Sequence, residues 1–66
     1  MDKIFLKSAE KELDKKIDLN KSFKQNDMDS LDLMTFISLF EDHYNLKIKD
    51  KEYKKIKNFS SFNKFI

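Results

Sequence analysis

The chain has 66 residues, enough for one domain over residues 1–66 whose folding removes only about 60% of the unfolded surface from water. It contains no cysteine, glycine or proline, and its 14 lysines against 12 acids leave a net charge of +2. Disulfides and thiolate metal sites are excluded. No apolar run approaches the roughly 18 residues of a membrane span, and Met1-Asp2-Lys3 lacks the order of a signal peptide, so a cytoplasmic protein is expected.

The spacing predicts a first helix from Ile4 to about Ile17. Phe5, Leu6, Ala9, Leu13 and Ile17 fall within a wedge of roughly 120° at about 100° per residue. Lys3, Lys7, Lys11 and Lys15 lie opposite and read as a solvent face, with Ile4 unexplained among them. Leu19 to Met28 is rich in Asn, Asp and Ser and reads as a loop, pinned to the core by Leu19 and Phe23. About ten residues is long for a connection between adjacent antiparallel helices, so the loop is expected to cross an end of a bundle.

Ser30 to about Tyr44 predicts the second helix, with Asp29 or Ser30 as its N-cap, because either side chain can accept from the free N–H groups of the first turn. Leu33, Phe36, Ile37, Phe40 and Tyr44 share the inner face. Leu31, Met34 and Ser38 project elsewhere, with Glu41 and Asp42 along the same side. That group reads either as a docking patch, to which a flexible methionine is suited, or as a contact with the long loop. Asn45 is a left-handed stop. Leu46-Lys47-Ile48 runs extended with Ile48 inward, and Asp50 to Ile56 forms a short third helix. Asn58 or Ser60 caps a last helix whose Phe59, Phe62, Phe65 and Ile66 share one apolar face. The expected fold is all-α: a small four-helix bundle with a short third helix and no period-two strand pattern.

Charge is unevenly spread. Residues 27–42 hold five acids (Asp27, Asp29, Asp32, Glu41, Asp42) and no lysine, and the rest of the chain carries +7. Such an acidic island concerns partner choice and encounter rate rather than fold.

Little else looks like chemistry. Asp27-x-Asp29-x-Leu31 begins like a calcium loop but fails at Leu31, at Asp32 where the turn glycine belongs, and at Ser38 where a bidentate glutamate belongs. His43 is the sole histidine, with no partner to share a metal, so no metal site is expected. No Ser/His/Asp set converges, so no catalytic residues are expected. Ser30 remains: a hydroxyl at a helix N-terminus, where an attached anion is favoured by free N–H groups and the helix dipole.

Asp29-Ser30-Leu31-Asp32 resembles the Asp-Ser-Leu motif of acyl carrier proteins. The resemblance runs without a gap from Asp29 to Ile66, through Glu41-Asp42-His43-Tyr44, Ile48-Lys49-Asp50 and the terminal Phe65-Ile66. Residues 1–28 match only as a helix followed by a long loop. The resemblance implies a monomeric carrier, not an enzyme, in a biosynthetic pathway such as fatty acid synthesis. Its cofactor would be 4′-phosphopantetheine, drawn from coenzyme A and esterified to Ser30, holding acyl cargo as a thioester. Asp29 would hold a metal or orient the hydroxyl while a phosphopantetheinyl transferase acts. Leu31, Met34, Glu41 and Asp42 would meet basic, partly apolar patches on that transferase and on the loading and transferring enzymes. An aminoacyl or peptidyl carrier is the alternative within this class. Outside it stands a lysine-rich helical module for nucleic acid, against which the lack of arginine and of a recognition-helix motif argues.

Three departures from the family pattern carry expectations. Asp27 stands where a glycine is usual, and aspartate can take the left-handed conformation at some cost. The overall charge is basic rather than acidic. Tyr53 and Phe62 occupy positions that are often small in fatty-acid carriers, so these rings are expected to fill the acyl cavity and restrict the cargo to short, polar or amino-acid groups.

Overall fold

A computed structural model describes all residues, 1–66. The chain forms three α-helices, α1 (Lys3–Leu13), α2 (Ser30–Tyr44) and α3 (Asp50–Tyr53), and closes with a 3-10 helix over Phe59–Phe65. There are no strands, only an isolated antiparallel bridge between Ser22 and Asn58. The expected small four-helix architecture is the one observed, and α1 packs against α2.

Helix α1 starts at Asp2, whose side chain accepts the Phe5 N–H at 2.6 Å, and buries Phe5, Ala9 and Leu13. It ends a turn earlier than the apolar spacing predicts. Asp14 enters the left-handed region at φ 55°, and its N–H closes on the Glu10 carbonyl. The Glu10 carboxylate then reaches past the helix end to accept the Ile17 N–H at 2.7 Å. Ile17 still packs on the core, but from a loop. Ile4, on the lysine side, is exposed and packs on nothing.

The connection from α1 to α2 is an ordered loop. Asn26 is buried at 9% exposure, the only buried polar residue. Its Oδ1 accepts the Asp18 N–H at 2.7 Å. Its Nδ2 donates to the carbonyls of Asp18 at 3.0 Å, Ser22 at 2.9 Å and Lys21 at 3.3 Å. Alongside turn hydrogen bonds such as Asp27 N–H to the Lys24 carbonyl and Met28 N–H to the Phe23 carbonyl, this one amide side chain satisfies much of the loop's backbone. Leu19 and Phe23 pack against the core as expected, and Met28 is itself buried. The Ser60 N–H donates to the Leu19 carbonyl, which ties the loop to the 3-10 helix.

The centre is aromatic. Phe36 and Phe40 on α2 and Phe59 and Phe62 on the 3-10 helix are fully buried. The Phe36 ring lies 5.6 Å from Phe5, 4.8 Å from Phe59 and 5.0 Å from Phe62 between centroids, in edge or tilted geometries. Those are the arrangements aromatic quadrupoles favour. Asn45 ends α2 in the left-handed region at φ 52°, and Ile48 turns inward. Helix α3 is four residues long, shorter than expected, and buries none of them. Asn58, not Ser60, caps the last helix: its side chain accepts the Ser61 N–H and Ser61 answers in a capping box. That helix is 3-10 rather than α, with three residues per turn, so Phe59, Phe62 and Phe65 lie above one another.

Candidate functional site at the start of helix α2

Ser30 is the first residue of α2 and is exposed. The N-cap is Asp29, whose Oδ1 accepts the Asp32 N–H at 2.8 Å, while an Asp32 carboxylate oxygen accepts the Asp29 N–H at 3.4 Å. This capping box satisfies the turn through the residues on either side of Ser30, and the Ser30 hydroxyl has no share in it. The N–H groups of Ser30 and Leu31 point out of the first turn with no intrahelical acceptor. The approach to the site comes from Asp27, at φ 58°, in the left-handed conformation where the family pattern has glycine. Buried Met28 fixes the chain between the two.

A cation the spacing had assigned to the solvent ridge completes the site. Lys3, Lys7 and Lys11 are exposed, but Lys15, just beyond α1, turns to α2. Its Nζ donates to the Asp27 carbonyl at 2.6 Å and to Asp32 Oδ2 at 2.5 Å. The Lys15 hydrogen bond is the main cause that holds the Asp32 carboxyl below its ordinary range, and the same contact raises the Lys15 ammonium. Sequence spacing contained no sign of this, because Lys15 continues the i,i+4 series of exposed lysines.

Ser30 sits at the end of a cleft of about 530 Å³ that runs along α2. Leu33, Ile37, Ile56 and Phe62 provide apolar lining, and Ser38, Glu41 and Tyr53 provide polar atoms. Leu33 and Ile37, expected in the core, are half-buried and form the cleft's α2 bank. The two aromatic substitutions part company. Phe62 fills the interior at 0% exposure, whereas Tyr53 stays at the rim, 41% exposed, and leaves the cleft open.

On the outer face of α2, Leu31 and Met34 are 74% and 68% exposed, and Met34 also borders the cleft with Phe23 of the loop. With Thr35, Ser38 and Leu39 they line a shallow apolar depression. Asp42 is exposed there as well. Glu41 is half-buried, and its carboxylate accepts the Ile48 N–H at 2.8 Å, stapling the end of α2 to the segment before α3. His43 is exposed but not free: its Nε2 lies 3.1 Å from Asp2 Oδ2, which also accepts from the Tyr44 hydroxyl at 2.8 Å. The Phe5 N–H first, then the Tyr44 hydroxyl, bring the Asp2 carboxyl down to about 2.

The arrangement offers an accessible primary hydroxyl at the head of α2. A phosphate ester there would lie at the positive end of the α2 dipole, with Asp32 already neutralised by Lys15 and an apolar channel beside it. The residues present therefore fit a phosphate-linked arm. No helix is long and apolar enough to cross a membrane. No curated protein and no solved structure matches the chain significantly. A family model described as "Phosphopantetheine attachment site" matches residues 5–66, nearly the whole chain. With that match and the exposed serine that heads α2, the chain belongs to the phosphopantetheine attachment-site family, a carrier domain whose cofactor is covalently attached 4′-phosphopantetheine.

Proposed function

We propose that Ser30 is the attachment residue and that the chain is a carrier rather than an enzyme, moving cargo between enzymes of a biosynthetic pathway. The observation that carries this reading is the exposed Ser30 hydroxyl at the first position of α2, at the end of an apolar cleft. The arm supplies a terminal thiol on which cargo is held as a thioester. The chain's own residues do the rest. Asp29 caps the helix, and its remaining carboxylate oxygen faces the modifying enzyme and its metal. Leu31 and Met34 offer apolar contact, and Asp42 offers charge, to modifying and loading enzymes with basic surfaces. Tethering replaces diffusion with a local concentration of about millimolar.

The experiment is intact-mass analysis after incubation with coenzyme A and a broad-specificity phosphopantetheinyl transferase. The wild-type chain gains the mass of one arm. Ser30→Ala gains none and keeps its helical circular-dichroism spectrum, since no hydrogen bond of the fold uses that hydroxyl. Loading of Ser30→Ala would refute the assignment.

For cargo, the reading is a short acyl group, with an aminoacyl or peptidyl group as the alternative. It is supported by the packing of Phe36, Phe40, Phe59 and Phe62, all fully buried, with Phe36 and Phe59 centroids 4.8 Å apart and Phe40 and Phe62 5.1 Å apart, which fills the space behind the cleft. Amide chemical shifts of the chain loaded with a medium-length acyl group test it: changes confined to cleft residues are expected, and changes at Phe5, Ala9 and Phe59 would overturn it.

A further inference from the structure

Lys15 is the one lysine that leaves the solvent faces to touch the acidic segment, and it does so on both sides of Ser30. One contact falls on the carbonyl of Asp27, three residues before the serine, and the other on the carboxylate of Asp32, two residues after it. Among the lysine–carboxylate pairs of the chain this one is the most sheltered, with side-chain exposures of 30% and 21%. The pairs Lys21–Asp18 and Lys55–Glu52 both have a lysine more than half exposed and nitrogen–oxygen distances near 4 Å.

The two contacts have separate physical effects. Asp27 holds a left-handed backbone without the freedom of glycine, a conformation unfavourable for most L-residues. A charged donor on its carbonyl opposes relaxation of that peptide. The Asp32 contact fixes the carboxylate that closes the capping box with Asp29. It also neutralises a negative charge beside the hydroxyl, where the incoming diphosphate of coenzyme A would otherwise face both Asp29 and Asp32: there the Ser30 Oγ–P bond forms as the P–O bond to the departing adenosine 3′,5′-bisphosphate breaks, and the hydroxyl proton passes to a base of the transferase. Removal of the ammonium frees the turn at both ends while leaving the aromatic core untouched.

We propose that Lys15 is a positioning residue for the modification of Ser30, clamping the Asp27–Asp32 turn so that the hydroxyl meets the transferase in register. This rests on the reading of Ser30 as the attachment residue. Small displacements of a reacting group reduce rate steeply, since a misplacement of about 1 Å can lower it by roughly a hundredfold. A loosened rather than displaced turn should lose about tenfold.

The test is steady-state loading by a broad-specificity transferase with coenzyme A, read by mass, for wild type, Lys15→Met, Lys15→Arg, Asp32→Asn and the control Lys21→Ala. Methionine keeps the apolar stem and removes the charge. Expected are a roughly tenfold fall in kcat for Lys15→Met with KM changed little, an intermediate fall for Asp32→Asn, recovery with Lys15→Arg, and no change for Lys21→Ala. Should Lys15→Met not fold, Asp32→Asn decides: its amide oxygen can still accept the Asp29 N–H of the capping box, and the charge that Lys15 pairs with is lost. Loading at the wild-type rate by either decisive variant would overturn the clamp. So would a loss confined to KM that vanishes at high salt, which marks a charge that only attracts the enzyme. A wild-type chain that is not loaded at all would instead sink the attachment assignment, so the two failures are distinguishable.

Discussion

Asn26 gives the most direct handle on what holds the site's approach in place. Its amide makes four hydrogen bonds in a buried position, three of them at 3.0 Å or less. At a net value of about 1 kcal/mol for each good bond, Asn26→Ala should lose roughly 3 kcal/mol. A chain of this size is stable by about 3–10 kcal/mol in total, at roughly 0.05–0.15 kcal/mol per residue, so the loss is a large share. At about 4–8 °C per kcal/mol, the melting temperature should drop by more than about 10 °C. Asn26→Asp separates hydrogen bonding from packing. An aspartate there can still accept the Asp18 N–H, but it loses both donors and faces three carbonyl oxygens. Its folded-state pKa is raised, because the protonated form can donate and the charged form is repelled. The sign follows: the folded state binds the proton more tightly, so Asn26→Asp regains stability as pH falls from neutral through that raised pKa. Urea unfolding followed by circular dichroism at pH 7 and near pH 5 measures both variants. Asn26→Ala within 0.5 kcal/mol of wild type, on the order of a neutral surface change, would refute the claim that this amide organises the loop.

Asp27 should rank between glycine and alanine. Its φ of 58° suits glycine, and aspartate tolerates it better than alanine does. Asp27→Gly should match or exceed wild-type stability, and Asp27→Ala should lose about 1 kcal/mol. Chemical denaturation gives the order, and alanine at or above aspartate would contradict it. Asp2 governs the acid limb. Its carboxyl is depressed from 3.8 to about 2, so its contribution is complete above the unfolded value and is lost as pH falls from about 4 towards 2. Asp2→Asn should flatten the pH dependence of the melting temperature in that window, and an unchanged acid limb would show that the contacts of Asp2 do not bear on folding.

Much of this arrangement was legible in local chemistry. A serine and an aspartate ahead of an apolar run mark the start of α2, and Asn45 marks its end, because caps depend on a few adjacent side chains. The spacing of Phe59, Phe62 and Phe65 marks a last helix with one apolar face, though not that this helix is 3-10. What was not legible is non-local. Ile17 continues the apolar stripe of α1 in sequence, yet the helix stops at Leu13, where Asp14 turns left-handed and Glu10 takes up the next free N–H. Lys15 continues a surface pattern and is drawn off it by Asp32, an acid 17 residues away. Asn26 looks like any turn residue until the carbonyls around it are known. Tyr53 counts as a large apolar side chain in sequence, but a four-residue helix cannot press it into the interior.

The brevity of α3 has a consequence for the cleft. Its four residues bury nothing, and Lys49 caps them without a side-chain hydrogen bond. They are held from outside, by Ile48 seated in the core on one side and half-buried Ile56 on the other. The two banks of the channel therefore differ in backing: the α2 bank rests on interlocked phenyl rings, while the opposite bank is held by two isoleucine anchors and the Lys64–Glu52 pair. Segments with few buried contacts open at far lower free energy than the whole domain. A shift of this bank would widen or narrow the cleft while the rings behind α2 stay where they are.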